Sequence, residues 1–511
     1  MARPAIEALR SGRAIAAIVA GLGALAVVGV QFRHGIVPLL DTVTYWSGAQ
    51  SIADGHWFTT RLAPSFSNFE AGEFLRRGGR LPFVDFPIGY PLLAGGLGVV
   101  LGVRAAMTLL ITMSLIAVAA MIVVADEHVR TNRWRAAAGA AVGVLVVSLP
   151  VTRLVTQGAL SEPLFCATVL GLVVALVRFR NGGPWWTVVA LVVASSLFRF
   201  IGAPLALVAA REHHARHGSV PRAAAWGLAM MVPAATNIAL AAAAGGGHDA
   251  GWRGLDRLDL EVFVRSIGGW FDSRQGDLRR TYFTGDGPAW WAWPLTLIWI
   301  GLSVWTAWCW LRRRHRLPAS SELALVCATV VTGGLVLGMM GFDALVIADN
   351  RLMLPTGVLT VAALWWWLPN RAISPGIATV WALLAVAPWN VGESFRSREG
   401  VLPMARTAME SGASIVITDD ADGVHWDSGL PAAYAPLPVK QLTGEKADVE
   451  GLYSSLPCEL AKHDGIVVLD PNSNFFGADL DLLDRQVDNG RLRRSGDQSV
   501  IVYRPTADAC D

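Results

Sequence analysis

Apolar segments long enough to cross a membrane recur along most of the chain, and they constrain its fold more than any other feature. A helix needs about 20 apolar residues to span a bilayer. Charged residues make up only 16% of the chain, whereas a soluble protein has about 25%. The sequence therefore predicts a polytopic α-helical membrane protein with about eleven transmembrane helices. The eleven segments cover residues 14–30, 88–103, 105–125, 136–152, 160–177, 185–209, 223–244, 289–311, 319–341, 351–368 and 373–391.

The arginines that flank these segments predict the orientation of the chain. Arg3, Arg10 and Arg13 precede the first apolar segment, which places the N-terminus in the cytoplasm by the positive-inside rule. We find no convincing small-residue cleavage site after this segment, so it is predicted to remain as an anchor. An odd number of crossings then places the C-terminus outside a cell membrane. The arginines at residues 130–135 disagree, because they would lie outside on this count.

Two long polar segments, at about residues 32–86 and 245–288, are predicted external loops. In the first, Phe66, Phe69 and Phe74 are spaced as in a helix that lies along the membrane interface.

The C-terminal part has the composition of a soluble domain. Residues 400–511 contain 18 acidic and 9 basic residues, whereas the rest of the chain is basic. Three short apolar runs alternate with helical stretches, a pattern typical of a small sheet with helices packed on it. The sequence thus predicts a membrane domain at residues 1–395 and an extracytoplasmic α/β domain at residues 396–511. The predicted strands are 413–418, 465–469 and 499–503, and the predicted helices are 448–462 and 479–489.

Two of the five cysteines, Cys458 and Cys510, lie in this C-terminal domain. If the domain is external, it lies in an oxidising compartment where disulfides persist. We therefore predict a Cys458–Cys510 disulfide. The alternative is a pair of unrelated thiols, one buried and one near the terminus.

Familiar catalytic motifs are missing from the sequence. We find no Walker motif, no convincing dinucleotide fingerprint and no HExxH or CxxC pair, and no basic run interleaved with aromatics suggests a nucleic-acid partner. What remains is a set of polar residues at the ends of the apolar segments. These residues are Asp41, Asp85, Glu162, Arg199 and Arg351.

Each of these residues also has a purely structural explanation. Asp41 could cap a helix over Thr42–Ala53, and Glu162 could cap the helix that begins at Pro163. Arg199 could snorkel or neutralise Glu162, and Arg351 could be a flanking charge. Together they combine carboxylates that can accept a proton with arginines that can hold a phosphate.

Five motifs in order resemble the GT-C glycosyltransferases, a superfamily that includes protein O-mannosyltransferases, aminoarabinose transferases and actinobacterial arabinosyl- and mannosyltransferases. The resemblance spans about residues 14–370, and each motif alone is weakly specific. The motifs are Asp41-x-x-x-Tyr45, Phe86-Pro87-Ile88-Gly89-Tyr90-Pro91, Ser161-Glu162-Pro163-Leu164-Phe165, Phe198-Arg199-Phe200-Ile201-Gly202 and Asn350-Arg351-Leu352-Met353-Leu354-Pro355.

The resemblance implies a GT-C-like fold and transfer of a sugar from a polyprenyl-phosphate donor to an external glycan, lipid or protein acceptor. It implies that Asp41 is the general base and that Arg199 and Arg351 hold the donor phosphate, with Tyr45, Asp85 and Glu162 as further binding residues. Asp41-Thr42 replaces the acidic pair of many members, so the pair that would bind a metal is missing. The sequence does not decide whether a divalent cation takes part in the reaction.

Three other functions remain possible from the sequence. A transporter would have charges or broken helices near mid-membrane and an internal repeat, and we find no repeat. A non-enzymatic cell-envelope assembly protein would not depend on Asp41. A lipid-linked polymerase or ligase would use a pyrophosphate donor instead.

Overall fold

The computed structural model describes most of the chain, and its described residues form two compact units. One unit, here the helical unit, comprises residues 1–36, 107–237 and 254–389. The other, here the mixed unit, comprises residues 37–106, 238–253 and 390–511. The described residues are 2–33, 35–63, 71–83, 86–130, 133–244, 301, 304–312, 317–341, 350–367, 401–436, 448–471, 478–496 and 499–510.

Three predicted features lie outside the described residues. They are the second external loop at 245–288, the apolar segment at 373–391 and the domain boundary between residues 395 and 396.

Helices account for most of the described residues. The helices are α1 (Ala2–Gln31), α2 (Leu40–Ala53), α3 (Ala71–Arg76), α4 (Gly89–Leu101), α5 (Val103–Val124), α6 (Arg133–Ser148), α7 (Pro150–Gln157), α8 (Glu162–Arg180), α9 (Trp185–Phe198), α10 (Leu205–His217), α11 (Val220–Ala244), α12 (Ala319–Gly341), α13 (Asn350–Trp367), α14 (Val401–Glu410), α15 (Ala421–Ser428), α16 (Val449–Lys462) and α17 (Leu480–Asp488). The strands are β1 (Thr59–Thr60), β2 (Leu62–Ala63), β3 (Leu81–Pro82), β4 (Ile415–Thr418), β5 (Ala432–Tyr434), β6 (Gly465–Leu469), β7 (Leu492–Gly496) and β8 (Ile501–Pro505).

Four helices among the described residues are long and apolar enough to cross a bilayer. They contain the segments Gly12–Gln31, Val103–Val124, Glu162–Arg180 and Val220–Leu240, and five shorter helices are also apolar. Large apolar side chains on their surfaces are exposed, as lipid-facing residues are. The chain is therefore a membrane protein.

Helix α1 shows how these helices pack. Its buried residues Ala16, Ala20, Ala24 and Val28 recur every four positions and so share one face. That face packs against α6, because small side chains let two helix backbones approach closely.

The predicted segment at 185–209 is two helices rather than one. Helix α9 ends at Phe198, and Arg199 adopts an extended backbone with φ −150° and ψ 129°. Pro204 then precedes α10. Within a continuous helix Pro204 could not donate a backbone hydrogen bond and its ring would clash with the preceding turn, so a break before it avoids both costs.

Buried charges in the helical unit are paired. The Arg135 Nε lies 2.6 Å from Asp126 Oδ2, and both side chains are almost fully buried. Arg180 bridges two carboxylates, with Nη2 2.7 Å from Glu212 Oε1 and Nη1 2.9 Å from Glu322 Oε2. Pairing offsets part of the cost of removing these charges from water. Arg135 is thus neutralised by Asp126.

The mixed unit is built around a six-stranded sheet with the order β2-β5-β4-β6-β8-β7. Strands β2, β5, β4 and β6 are parallel, β8 runs antiparallel to β6, and β7 runs antiparallel to β8. The edge strand β2 comes from the first predicted loop, since Leu62 and Ala63 pair with Ala432 and Ala433. The sheet therefore combines residues from both ends of the chain.

Alternating side chains of the central strands cover both faces of the sheet. In β4, Ile415 and Ile417 belong to one apolar core, whereas Val416 belongs to the other. Strands buried on both faces read as continuous apolar runs, and this explains why β4 and β6 were recognisable in the sequence.

Helix α3 supplies Phe74 and Leu75, both fully buried, to the first of these cores. The expectation that Phe74 lies along the membrane interface is therefore wrong. Phe66 and Phe69, named with it, lie outside the described residues.

The C-terminal end is tied to helix α16. Cys458 and Cys510 form a disulfide, with their Cα atoms 4.4 Å apart, as predicted. Because Cys458 lies within α16, the bridge holds the segment after β8 against that helix.

Candidate functional site

Asp41 lies in the first turn of α2. The helix begins at Leu40 and its N-cap is Leu39, which makes no side-chain capping bond. Asp41 is thus a helical residue, and the expected helix start at Thr42 with Asp41 as the cap is wrong. A carboxylate in the first turn is stabilised by the positive end of the helix dipole. Asp41 is half-buried, whereas the eight residues after it are buried.

Tyr45 connects the first two motifs of the resemblance. It lies one helical turn after Asp41, and its ring is 1% exposed. The Tyr45 ring centroid is 4.8 Å from that of Phe86 and 5.2 Å from that of Tyr90. Such tilted and edge-on contacts are favourable for aromatic rings. The structure therefore brings together motifs that are about 45 residues apart in sequence.

Helices α2 and α4 approach closely behind this aromatic cluster. A Cβ atom placed on Gly95 would lie 2.6 Å from the Ala49 carbonyl oxygen. Only a glycine allows this contact, since a real Cβ atom cannot come so near a backbone oxygen. The small residues that follow Asp41 in the sequence thus have a packing role.

Polar contacts hold α2 to the strands that follow it. The Thr60 hydroxyl donates to Ser47 Oγ over 2.9 Å, and the Arg61 backbone N–H donates to the same oxygen over 2.9 Å. Arg61 also forms a salt bridge with Asp54 at 3.1 Å. Because Leu62 and Ala63 come next and join the sheet, these bonds link α2 to the sheet.

A second aromatic cluster links α2 to helix α15. The Trp46 ring centroid lies 5.0 Å from that of His425 and 5.1 Å from that of Trp426. The Arg104 guanidinium lies 4.0 Å from the Trp426 centroid and 5.1 Å from that of Trp46, and it donates to the Trp426 carbonyl oxygen. These cation–π contacts are worth about 0.5–2 kcal/mol each.

Sequence reasoning missed this second cluster. The adjacent pair His425-Trp426 in a soluble domain was the available signal. A local pattern could not identify partners some 380 residues away in sequence.

His425 is buried as a neutral ring in this cluster. It is 1% exposed, and its Nδ1 lies 2.6 Å from the Leu430 carbonyl oxygen. The carbonyl only accepts, so Nδ1 carries the proton. Burial lowers the pKa of His425 to about 4, and the positive charges of Arg61 and Arg104 add to this effect, while the bond to Leu430 opposes it.

The third and fourth motifs meet in the helical unit. Glu162 begins α8 and is 1% exposed. Arg199, at the break after α9, forms a salt bridge with Glu162 through Nη2 and Oε1. A Cβ atom on Gly202 would lie 2.9 Å from the Phe165 ring, so these motifs are in contact. Of the two roles considered for Arg199, the structure shows neutralisation of Glu162.

The contacts of the Arg351 and Asp85 side chains are not described by the structure. Arg351 is the second residue of α13, a helix that packs against α8 in the helical unit, and its side chain lies outside the described residues. Asp85 lies wholly outside them. Among the residues that the structure describes, no group of three or more His, Cys, Asp or Glu side chains could hold a metal ion.

The comparisons with known proteins identify similar folds only. No protein-family model and no curated protein matches the chain. Among solved structures, the chain is similar to ArnT from Cupriavidus metallidurans bound to undecaprenyl phosphate, with 14% identity and a TM-score of 0.45. It is also similar to the apo state of that protein, with 13% identity and a TM-score of 0.44. Each similarity covers 97% of this chain and 98% of the other.

Proposed function

We propose that this chain is a membrane glycosyltransferase that moves a sugar from a polyprenyl-phosphate donor to an extracytoplasmic acceptor. The observation that carries the proposal is the position of Asp41 at the start of α2. There the carboxylate lies one turn from Tyr45, which packs on the rings of Phe86 and Tyr90. A rigid aromatic support of this kind would hold a catalytic carboxylate in one orientation.

Asp41 is the general base of the proposed reaction. Its carboxylate takes the proton of an acceptor hydroxyl as that oxygen attacks the anomeric carbon of the donor sugar. The bond between the anomeric carbon and the phosphate oxygen breaks, and the electron pair leaves with the lipid phosphate. The exposed apolar surface of α4, which includes Val99, Val100 and Leu101, suits a reaction whose leaving group stays in the membrane.

Arginines of the helical unit bind the donor phosphate in this proposal. Arg199 is held by Glu162, so its guanidinium is oriented, and a guanidinium matches the geometry of a phosphate. Arg351, near the start of α13, is assigned to the same phosphate. Arg199 follows the end of α9 and Arg351 lies at the start of α13, and the proposal places the lipid headgroup near these helix ends.

The orientation of the chain is also part of the proposal. The N-terminus is placed in the cytoplasm, and the sheet-containing part of the mixed unit is placed outside. The disulfide between Cys458 and Cys510 supports this orientation, because such bonds persist in oxidising compartments.

The test is a transfer assay with the purified protein in nanodiscs. A panel of polyprenyl-phosphate sugars is supplied, and the release of lipid phosphate is measured for wild type, Asp41→Asn and Asp54→Asn. Asp54 follows the other end of the same helix and is exposed, so it is the matched control. We expect Asp41→Asn to lose about 10²–10⁴-fold in turnover and Asp54→Asn to stay near wild type.

Near-normal turnover in Asp41→Asn would contradict the assignment of the base. If wild type released no lipid phosphate from any donor in the panel, the proposal would be replaced by a transporter or an assembly protein.

A further inference from the structure

A groove opens on one face of the sheet in the mixed unit, between α14 and the β7–β8 hairpin. Its volume is about 470 Å³, within the range of about 300–1,000 Å³ typical of small-molecule sites. Arg406 and Thr407 of α14 line one side, and Ser499 and Val502 line the other. The groove thus combines an apolar floor with hydroxyl groups and a guanidinium.

Two further arginines extend this face. Arg493 and Arg504 are directly paired across the antiparallel strands β7 and β8, as are Ser495 and Val502. Residues two apart in a strand share a face, so Arg504 projects on the same face as Val502. Opposite residues in such a pair have Cβ atoms about 4.5–5.5 Å apart. Arg493 and Arg504 therefore stand side by side next to the groove.

Within the described part of the chain, these three arginines have no carboxylate partner. Among the residues that the structure describes, no salt bridge involves Arg406, Arg493 or Arg504, and all three are exposed. Arg494, on the opposite face of β7, differs, because its Nη1 lies 2.7 Å from Asp484 Oδ2. Like charges directly opposite each other in a sheet are destabilising, and a bound anion would relieve this repulsion.

This arrangement is unusual for the domain in which it occurs. Residues 400–511 contain twice as many acidic as basic residues, 18 against 9. Three of the nine basic residues nevertheless lie on one face of the sheet, and none of the three forms a salt bridge with a described residue. The charged side chain in the described lining of the groove, Arg406, is therefore opposite in sign to the net charge of residues 400–511.

We propose that this arginine groove binds a negatively charged saccharide, with carboxylate or phosphate groups on the arginines. Arginine presents a planar fork that matches either anion. Thr407 and Ser499 supply hydroxyls for sugar oxygens, and Val502 and Leu402 supply apolar surface for the C–H face of a sugar ring. The further step, that this saccharide is the acceptor, rests on the proposed function.

The experiment measures saccharide binding by the full-length protein in nanodiscs of neutral lipid, without any donor. The probes are an oligogalacturonate, a phosphomannan fragment and neutral maltohexaose. We expect at least one anionic probe to bind, with a Kd that rises with salt as screening increases. We expect the triple variant Arg406→Gln, Arg493→Gln, Arg504→Gln to bind at least about tenfold more weakly, and the control Arg494→Gln to bind as wild type does.

Four results would overturn the proposal. These are no binding of either anionic probe, equal binding of maltohexaose, an unchanged Kd in the triple variant, or displacement of the probe by nanodiscs of anionic lipid. The last result would assign the groove to lipid headgroups.

Asp41→Asn serves to separate this proposal from the enzymatic one. This variant should bind the saccharide in the groove as wild type does. If it loses transfer and keeps this binding, the two proposals are shown to depend on different residues. If the wild-type protein catalysed transfer but bound no anionic saccharide, the saccharide-binding proposal would be wrong and the glycosyltransferase proposal would stand.

Discussion

The buried histidine of helix α15 should make the stability of the mixed unit depend on pH. The ordinary pKa of His425 is 6.5 and its folded-state pKa is lowered to about 4. Between these values the unfolded chain binds a proton that the folded chain does not bind. Stability is therefore fully present above about pH 6.5 and is lost as the pH falls towards 4.

The magnitude follows from the two pKa values. Each tenfold difference in proton affinity corresponds to about 1.4 kcal/mol, so lowering the pKa from 6.5 to about 4 corresponds to about 3 kcal/mol. Solvent screening does not reduce this value much, because the ring is 1% exposed. A loss of this size is a large part of the stability of an ordinary domain.

The perturbation that isolates this effect is His425→Asn. The asparagine amide can still donate to the Leu430 carbonyl oxygen, which the His425 ring contacts at 2.6 Å, but it does not titrate. His463→Asn is the control, since His463 lies in the same domain but is partly exposed beside Glu459.

The assay is denaturant unfolding of the full-length protein in detergent at pH 4.5, 5.5 and 7.5, followed by tryptophan fluorescence. Trp46 and Trp426 lie within about 5 Å of the site and report on it. Between pH 7.5 and pH 4.5, we expect the stability of wild type and of His463→Asn to fall by about 1–3 kcal/mol more than that of His425→Asn. An identical pH dependence in all three proteins would refute the reasoning.

Three more predictions concern other parts of the chain. Arg180→Leu should destabilise the helical unit by about 3–5 kcal/mol, because it leaves two buried carboxylates without their counter-ion; thermal unfolding in detergent checks this, and the exposed Arg178→Leu should have little effect. Non-reducing peptide mapping should recover the Cys458–Cys510 bridge, and its removal should cost about 2–4 kcal/mol; two free thiols in protein from its native membrane would contradict both the bridge and the external placement. Arg351→Ala should weaken donor binding more than Arg351→Lys, since lysine keeps the charge and loses the planar fork; equal donor affinity in both variants and wild type would place this residue outside the phosphate site.

Local sequence was sufficient to predict the elements whose stability is local. The apolar helices follow from the length of their runs, and strand β6 was predicted at its observed bounds, Gly465–Leu469. Helices α16 and α17 were predicted within one or two residues, and in the structure Asp448 and Asp479 cap them through their own side chains. The candidate residues Asp41, Glu162 and Arg199 were also visible, as charges at the ends of apolar segments.

The partners of those residues depended on contacts between distant parts of the chain. No local pattern shows that Leu62–Ala63 adds a strand beside Ala432, because a two-residue strand has no periodicity to detect. The same holds for Trp46 against His425, and for Arg493 beside Arg504, whose apposition depends on strand register.

The sequence by itself therefore determined the class of protein, its apolar helices and the residue types available for chemistry. Tertiary structure alone decided which of these side chains meet. It paired Glu162 with Arg199, and it buried His425 so that its pKa falls to about 4. The physical reason is that hydrophobicity, capping and helix length act over a few residues, whereas burial and charge pairing arise only when the folded chain brings distant residues into contact.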